Sequence, residues 1–196
     1  MTITEPDRPQ RRLACRALAL PLLLAGVGAP LAPLAAQAAA PALERRVKAA
    51  FLYKFLGYAE FPPQAFADAA TPFSIGVVGA DDVAAELTRI AAGRLVAGRT
   101  ITVRTLREQD LAQLPVHLLF VAGQDGPNAA RLLRASPAWL TVTECEGCLQ
   151  HGSVINFTIV DERVRFDVSL DVAEKKNVKL SSRLLTVANR VQKGAA

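Results

Sequence analysis

The pattern with the most chemical content is Cys145-Glu-Gly-Cys148. Two thiols three residues apart can close a disulfide, work as a redox dithiol or supply ligands to zinc. A redox dithiol usually sits where a strand runs into a helix N-terminus, which lowers a thiol pKa. Here Gly147 and Gly152 flank the second cysteine and a strand-type run follows. A closed zinc site needs four ligands, and Cys145, Cys148 and His151 make three. The surroundings favour a structural disulfide. The ring it closes is short, so it shapes the loop more than it holds the domain together.

Other reactive types are sparse. With two histidines in the chain, His117 and His151, a three-histidine metal site on one chain is impossible. His117 begins an apolar run and reads as a core or edge residue; His151 reads as an exposed loop residue. Ser74 and Ser153 lie in no Gly-x-Ser-x-Gly elbow. Gly76-Val-Val-Gly79 lacks the full dinucleotide pattern, and turn formation explains its glycines. Asp81 or Asp82 reads as a helix N-cap, and Lys175-Lys176 as a solvated face. No catalytic residue, metal or cofactor is expected.

Helical spacing of Val47, Phe51 and Phe55 predicts a helix over 44–58, ended by Phe61-Pro62-Pro63. Residues 64–72 read as a loop. Strands are expected at 73–78, 100–105, 116–121 and 139–143. Helices are expected at 82–92 and 129–135, a helical turn at 110–114 and a turn at 123–127. This alternation predicts right-handed crossovers and a mostly parallel sheet covered on both faces. Strands at 154–160 and 163–168 are separated only by Asp161-Glu162, which demands an antiparallel hairpin. A helical turn at 171–176 and a helix at 181–191, capped by Ser181 or Ser182, complete the chain. The fold class is therefore α/β: a mostly parallel sheet flanked by helices, with a C-terminal antiparallel hairpin and a final helix.

The chain has 196 residues, 51% hydrophobic and 21% charged, which excludes a disordered or fibrous protein. Residues 1–38 read as a secretory signal peptide. Arg8, Arg11, Arg12 and Arg16 precede an apolar run that ends in Ala36-Gln37-Ala38, and cleavage is expected after Ala38. A retained membrane anchor is the rival, but Pro21, Pro30 and Pro33 interrupt the run. Cys15 falls in the discarded peptide. Removing residues 1–38 takes away four Arg and two acids and lowers the net charge from +5 to about +3. That charge, and export, argue against nucleic acid. Residues 39–196 are expected to form one soluble, periplasmic domain.

An ordered set of segments carries a resemblance. Val47-Lys-Ala-Ala-Phe-Leu-Tyr-Lys-Phe-Leu56 is closed by Glu60-Phe61-Pro62 and followed by Phe73-Ser-Ile-Gly-Val-Val-Gly79. Gly152-Ser-Val-Ile-Asn-Phe157, Val164-Arg-Phe-Asp-Val168 and Val178-Lys-Leu-Ser-Ser-Arg-Leu-Leu185 come next. In that order they resemble the YfiR family of periplasmic regulators, over nearly all of residues 39–196. The resemblance implies a non-catalytic protein that represses a membrane-bound diguanylate cyclase by binding its periplasmic domain, lowering cyclic di-GMP and restraining biofilm growth. It also implies a possible homodimer, disulfides that influence activity, and an outer-membrane lipoprotein as a second partner. Cys145 and Cys148 match the family's cysteine pair before the Gly-x-x-Asn-Phe strand, and no second pair exists beyond residue 38.

Inhibition by binding needs differential affinity for two states of a partner and no chemistry. Candidate contacts are Tyr53, Tyr58 and Phe61 on and after the first helix, and Asn156, Arg165 and Phe166 on the hairpin. Two other functions compete: a periplasmic small-ligand sensor feeding a histidine kinase, and a thiol oxidoreductase using Cys145 and Cys148. A sensor's ligand would sit beyond the strand C-termini, at the loops after Val78, Thr105 and Val121.

Overall fold

The computed structural model describes residues 33–194, with side chains from residue 40 onward. The expected signal peptide lies outside the described residues, apart from the backbone of its last few positions. Those belong to α1 (Pro33–Tyr58), which starts upstream of the expected helix and runs through Pro41. β1 (Ala59–Glu60) and a 3-10 turn at Pro63–Ala65 follow. Then come β2 (Phe73–Val78), α2 (Asp81–Ala91), β3 (Ile101–Thr105), β4 (Leu118–Val121), α3 (Gly126–Ala135) and β5 (Leu140–Thr143). The hairpin is β6 (Ile155–Val160) and β7 (Arg163–Ser169). α4 (Leu170–Lys175), β8 (Lys179–Leu180), α5 (Ser182–Val187) and β9 (Arg190–Gln192) close the chain.

One seven-stranded sheet carries the fold, in the order β3-β2-β4-β5-β6-β7-β9. Strands β3 to β6 are mutually parallel, β7 is antiparallel to β6, and β9 is parallel to β7. The unit β2-α2-β3 steps toward one edge and β4-α3-β5 toward the other. Right-handed crossovers must then place α2 and α3 on opposite faces. Val83, Ala84 and Leu87 of α2 do pack with α1 on one side of the sheet. Ala129, Leu132 and Leu133 of α3 pack with Leu111 and Cys148 on the other.

Two glycines have distinct reasons. Gly76 is no turn residue; it sits mid-strand, where a Cβ would collide with Leu106 and crowd Val116. Gly79 has φ +78° and lies directly under the Ala122 carbonyl. Ala122 N–H also donates to the Val78 carbonyl at 2.9 Å. Backbone contact thus joins the loops after β2 and β4, where the sheet's connectivity reverses and a ligand crevice would open.

Several local expectations change. Asp81 and Asp82 lie inside the first turn of α2, and Ala80 occupies the cap without a side-chain bond. Their carboxylates suit the positive end of the helix all the same. α3 begins three residues early: Asp125 Oδ1 accepts from Asn128 N–H at 2.9 Å, and Pro127 fits the first turn, where no donor is needed. Lys176 is no solvated lysine, since its Nζ is partly buried and donates to the Ala138 carbonyl at 2.9 Å. Burial lowers its pKa below the ordinary lysine value.

The largest change is at the C-terminal end. Ser181 caps a helix as expected, its Oγ accepting from Leu184 N–H at 3.3 Å. That helix stops at Val187, well short of Val191, because Ala188 turns to extended geometry (φ −65°, ψ 144°). The nearly buried Asp167 carboxylate takes Asn189 Nδ2 at 2.7 Å and Arg190 at 2.8 Å. Asn189 N–H donates to the Phe166 carbonyl. Without those donors the carboxylate would be buried unpaired, at a cost of several kcal/mol. The segment therefore leaves the helix and joins the sheet as β9.

A small sheet sets the remaining geometry. Ala59 pairs with Leu180 and Glu60 with Lys179, antiparallel. Ser181 N–H donates to the Tyr58 carbonyl. The C-terminal end of α1 is thereby held beside the start of α5.

Candidate partner-binding groove

The floor of the groove begins with helical spacing. Phe51 and Phe55, four residues apart, present neighbouring rings on α1 (centroids 5.9 Å). Phe166 of β7 meets both edge-on, at 5.3 and 5.1 Å, and Phe157 of β6 stacks on Phe55 at 5.8 Å. Phe55 and Phe166 are fully buried, so they belong to the core as much as to any surface. Above them a hollow of about 310 Å³ opens between α1, β7 and α5. Leu184 completes its floor, while Tyr58 (37% exposed) and Val187 (58% exposed) stand at its rim. Lys54, Arg165 and Arg183 also line it, all exposed. No carboxylate lines this hollow, and none of the three cations makes an ion pair among the described residues.

The structure therefore brings Tyr58, Arg165 and Phe166 together and disperses the other candidates. Tyr53 is half-buried, with the Arg94 guanidinium 5.5 Å over its ring. Phe61 lies at the opposite end of β1, against Phe73 and His117. Asn156 is nearly buried and works as a strut. Its Oδ1 accepts from Thr143 Oγ1 at 2.7 Å and from Cys145 N–H at 3.1 Å.

Cys145 and Cys148 form the expected disulfide, with Cα atoms 5.5 Å apart. Their loop borders a second hollow of about 610 Å³, and the charges in it are mostly paired. Lys48 Nζ bridges Glu44 and Glu144, at 2.5 Å each. Glu144 also accepts from Gly123 N–H at 3.2 Å. Burial works against the Lys48 ammonium, but the Glu144 and Glu44 carboxylates outweigh it and hold its pKa above the ordinary value. Asp167 and Arg190 pair on the same side. Sequence reading missed Lys48, Glu144, Asp167 and Arg190, because the Lys48–Glu144 and Asp167–Arg190 pairs join residues far apart in the chain. Lys54 was legible in principle, lying between Phe51 and Tyr58 on α1.

His117 is buried and fully engaged. Its Nδ1 accepts from Ser74 N–H at 3.0 Å and lies 2.8 Å from Ser74 Oγ; its Nε2 meets the Ala65 carbonyl at 2.8 Å. That pattern requires the neutral ring with the proton on Nε2. Burial, countered in part by the Ala65 bond and aided by the nearby Arg99 charge, lowers its pKa. The ring stacks on Phe66 (4.6 Å) and ties the 61–66 segment to the sheet. Ser153 is fully buried, its Oγ donating to the Ile155 carbonyl. His151 is exposed and lies against Gly126. Among the described residues no group of three or more His, Cys, Asp and Glu could hold a metal ion. Among them, too, no helix is long and apolar enough to cross a membrane.

Comparison with known proteins agrees with this architecture. A conserved domain protein from Vibrio cholerae O1 biovar El Tor superposes with a TM-score of 0.50 at 10% identity. The match covers 76% of this chain and 60% of that one, so this chain spans less than two thirds of its length. The ABC domain from Streptococcus pneumonia, solved with L-Trp, reaches 0.42 at 10% identity, covering 61% and 55% of the two chains. At 10% identity the first likeness speaks to the fold alone, and the second carries no argument. No curated protein matches the chain. The family described as YfiR/HmsC-like matches residues 45–189, from the middle of α1 to the residue before β9. That family is one of periplasmic, regulatory and non-catalytic proteins. A match over so much of the chain settles the relationship: this protein belongs to the YfiR/HmsC-like family.

Proposed function

We propose that this protein is exported, cleaved after Ala38, and held in the periplasm as a repressor of a membrane-bound diguanylate cyclase. In this reading it binds the cyclase's periplasmic sensor domain, favours the inactive state and lowers cyclic di-GMP. Repression then requires only that the inactive state be bound more tightly. Besides family membership, one observation supports this reading: an apolar groove with exposed Tyr58 and Val187 and a rim of three cations that make no ion pair among the described residues. Interfaces concentrate aromatic anchors and arginine in such places. Tyr58, Arg165 and Phe166 would form the contact. Asn156 would act indirectly, by holding the disulfide loop, and Tyr53 and Phe61 would lie outside the interface.

The experiment is deletion in the native cell, with and without complementation by the full chain. Cyclic di-GMP should rise on deletion and return on complementation. Unchanged levels would remove the cyclase from the proposal. A pull-down from membranes with oxidised and reduced protein would identify the partner, an outer-membrane lipoprotein or a second copy included.

A second reading has its own observation. A hollow of about 990 Å³ lies between Phe61-Pro62-Pro63, Trp139 and the α4–β8 segment. That volume suits a small molecule and fits a ligand sensor feeding a histidine kinase. Thermal shifts across a metabolite panel test it; flat traces would set it aside.

A further inference from the structure

From the groove's charge and shape we infer the chemistry of its occupant: an acidic segment of a protein partner, inserting one or two large apolar side chains beneath Lys54, Arg165 and Arg183. This rests on the proposed function only in that both require a protein partner. At the disulfide-side hollow the cations are neutralised from within, Lys48 by Glu44 and Glu144 and Arg190 by Asp167. Around this groove three cations stand over an aromatic floor with no carboxylate in the lining. Like charges gathered at an apolar mouth repel one another, and an acidic ligand relieves that repulsion while its apolar anchor fills the hollow. The volume of about 310 Å³ admits a few side-chain groups and excludes a folded domain.

The same features exclude the alternative occupants. In a two-fold dimer built on this patch, each copy would meet the other's Lys54, Arg165 and Arg183, so identical charges would face each other. A bilayer presents a flat surface, whereas the apolar floor here is concave and Phe166 is only 1% exposed.

The test is site-specific photo-crosslinking in the native cell. The full chain carries benzoylphenylalanine at Val187 or at Tyr58, with Arg134 on α3 as the distant control position. The expected adduct joins Val187 to a peptide of another protein that is net acidic and bears a large apolar residue. The double variant Arg165→Glu/Arg183→Glu should lower adduct yield about tenfold. Both residues are exposed, and retention of the disulfide and of the unfolding midpoint verifies the fold of this variant. Replacing the crosslinked peptide's acids by lysine should restore the adduct to the double variant. An adduct with a second copy of this chain, an adduct with lipid, a basic peptide, or a yield no higher than at Arg134 would each overturn the inference. The two proposals fail separately. An acidic peptide from a protein other than a cyclase leaves the groove and removes the cyclase. A cyclase captured through some other surface does the reverse.

Discussion

Two hollows at the hairpin end of the sheet differ in how their charges are spent. At the disulfide side, Lys48, Glu144, Asp167 and Arg190 are tied to one another and to backbone donors. At the α1–β7–α5 side, Lys54, Arg165 and Arg183 surround an aromatic floor without ionic partners among the described residues. The first arrangement holds chain segments together. The second leaves interaction energy available to another molecule. The candidate surface is thus distinguished by an aromatic floor and cations without ionic partners, not by charge alone.

Mutations should separate the two regions by size and kind of effect. Phe166→Ala removes a fully buried ring from the groove floor and should cost about 3–5 kcal/mol in urea unfolding. Val187→Ser at the rim, 58% exposed, should stay within about 0.5 kcal/mol. Equal costs would mean that the rim is structural and the contrast false. Reducing Cys145–Cys148 should cost about 2 kcal/mol, the loop-closure value for so short a ring. A much larger loss of unfolding free energy would show that the disulfide holds more than its own loop.

Lys48→Ala should cost roughly 1–2 kcal/mol, because Glu144 keeps only the Gly123 N–H as a partner in a half-buried place. The double variant Lys48→Ala/Glu144→Ala should recover part of that loss, and the cycle measures the coupling. A pH dependence is expected at His117. Its folded pKa is depressed, so the unfolded chain binds the proton more readily. The ring's stabilising contribution is complete above the unfolded value of about 6.5 and is lost as pH falls below it, by at most about 1.4 kcal/mol per pH unit. His117→Gln should flatten the stability profile between pH 7 and 5, and an unchanged profile would assign the acid sensitivity to another group.

Where local rules and tertiary demands agree, the sequence was readable. The strand runs at 73–78 and 163–168 are β-structure to within a residue. Asp161 and Glu162 both take positive φ (49° and 59°), as a two-residue hairpin turn requires. The disulfide is the favoured one of the three readings that the cysteine spacing allows. Tyr58, Arg165 and Phe166 were named before it was visible that they share one groove. The remaining three candidates scattered, because half-burial and hydrogen-bond partners are not written in residue type. Arg183 and Val187 went unnamed, since their importance depends on α5 lying beside α1.

What the sequence determined by itself is local: apolar periodicity, the two-residue turn, the Ser181 cap and the alternation that forces parallel strands. Each depends on neighbours a few residues away, and backbone sterics with hydrogen-bond satisfaction leave one solution. Tertiary structure decided the C-terminal end. Residues 188–191 carry a helical apolar pattern, yet Asp167, more than twenty positions upstream, needs donors in a nearly buried place. Satisfying that carboxylate outweighs one more helical turn, so the chain leaves α5 for β9, and the groove's third wall ends where it does.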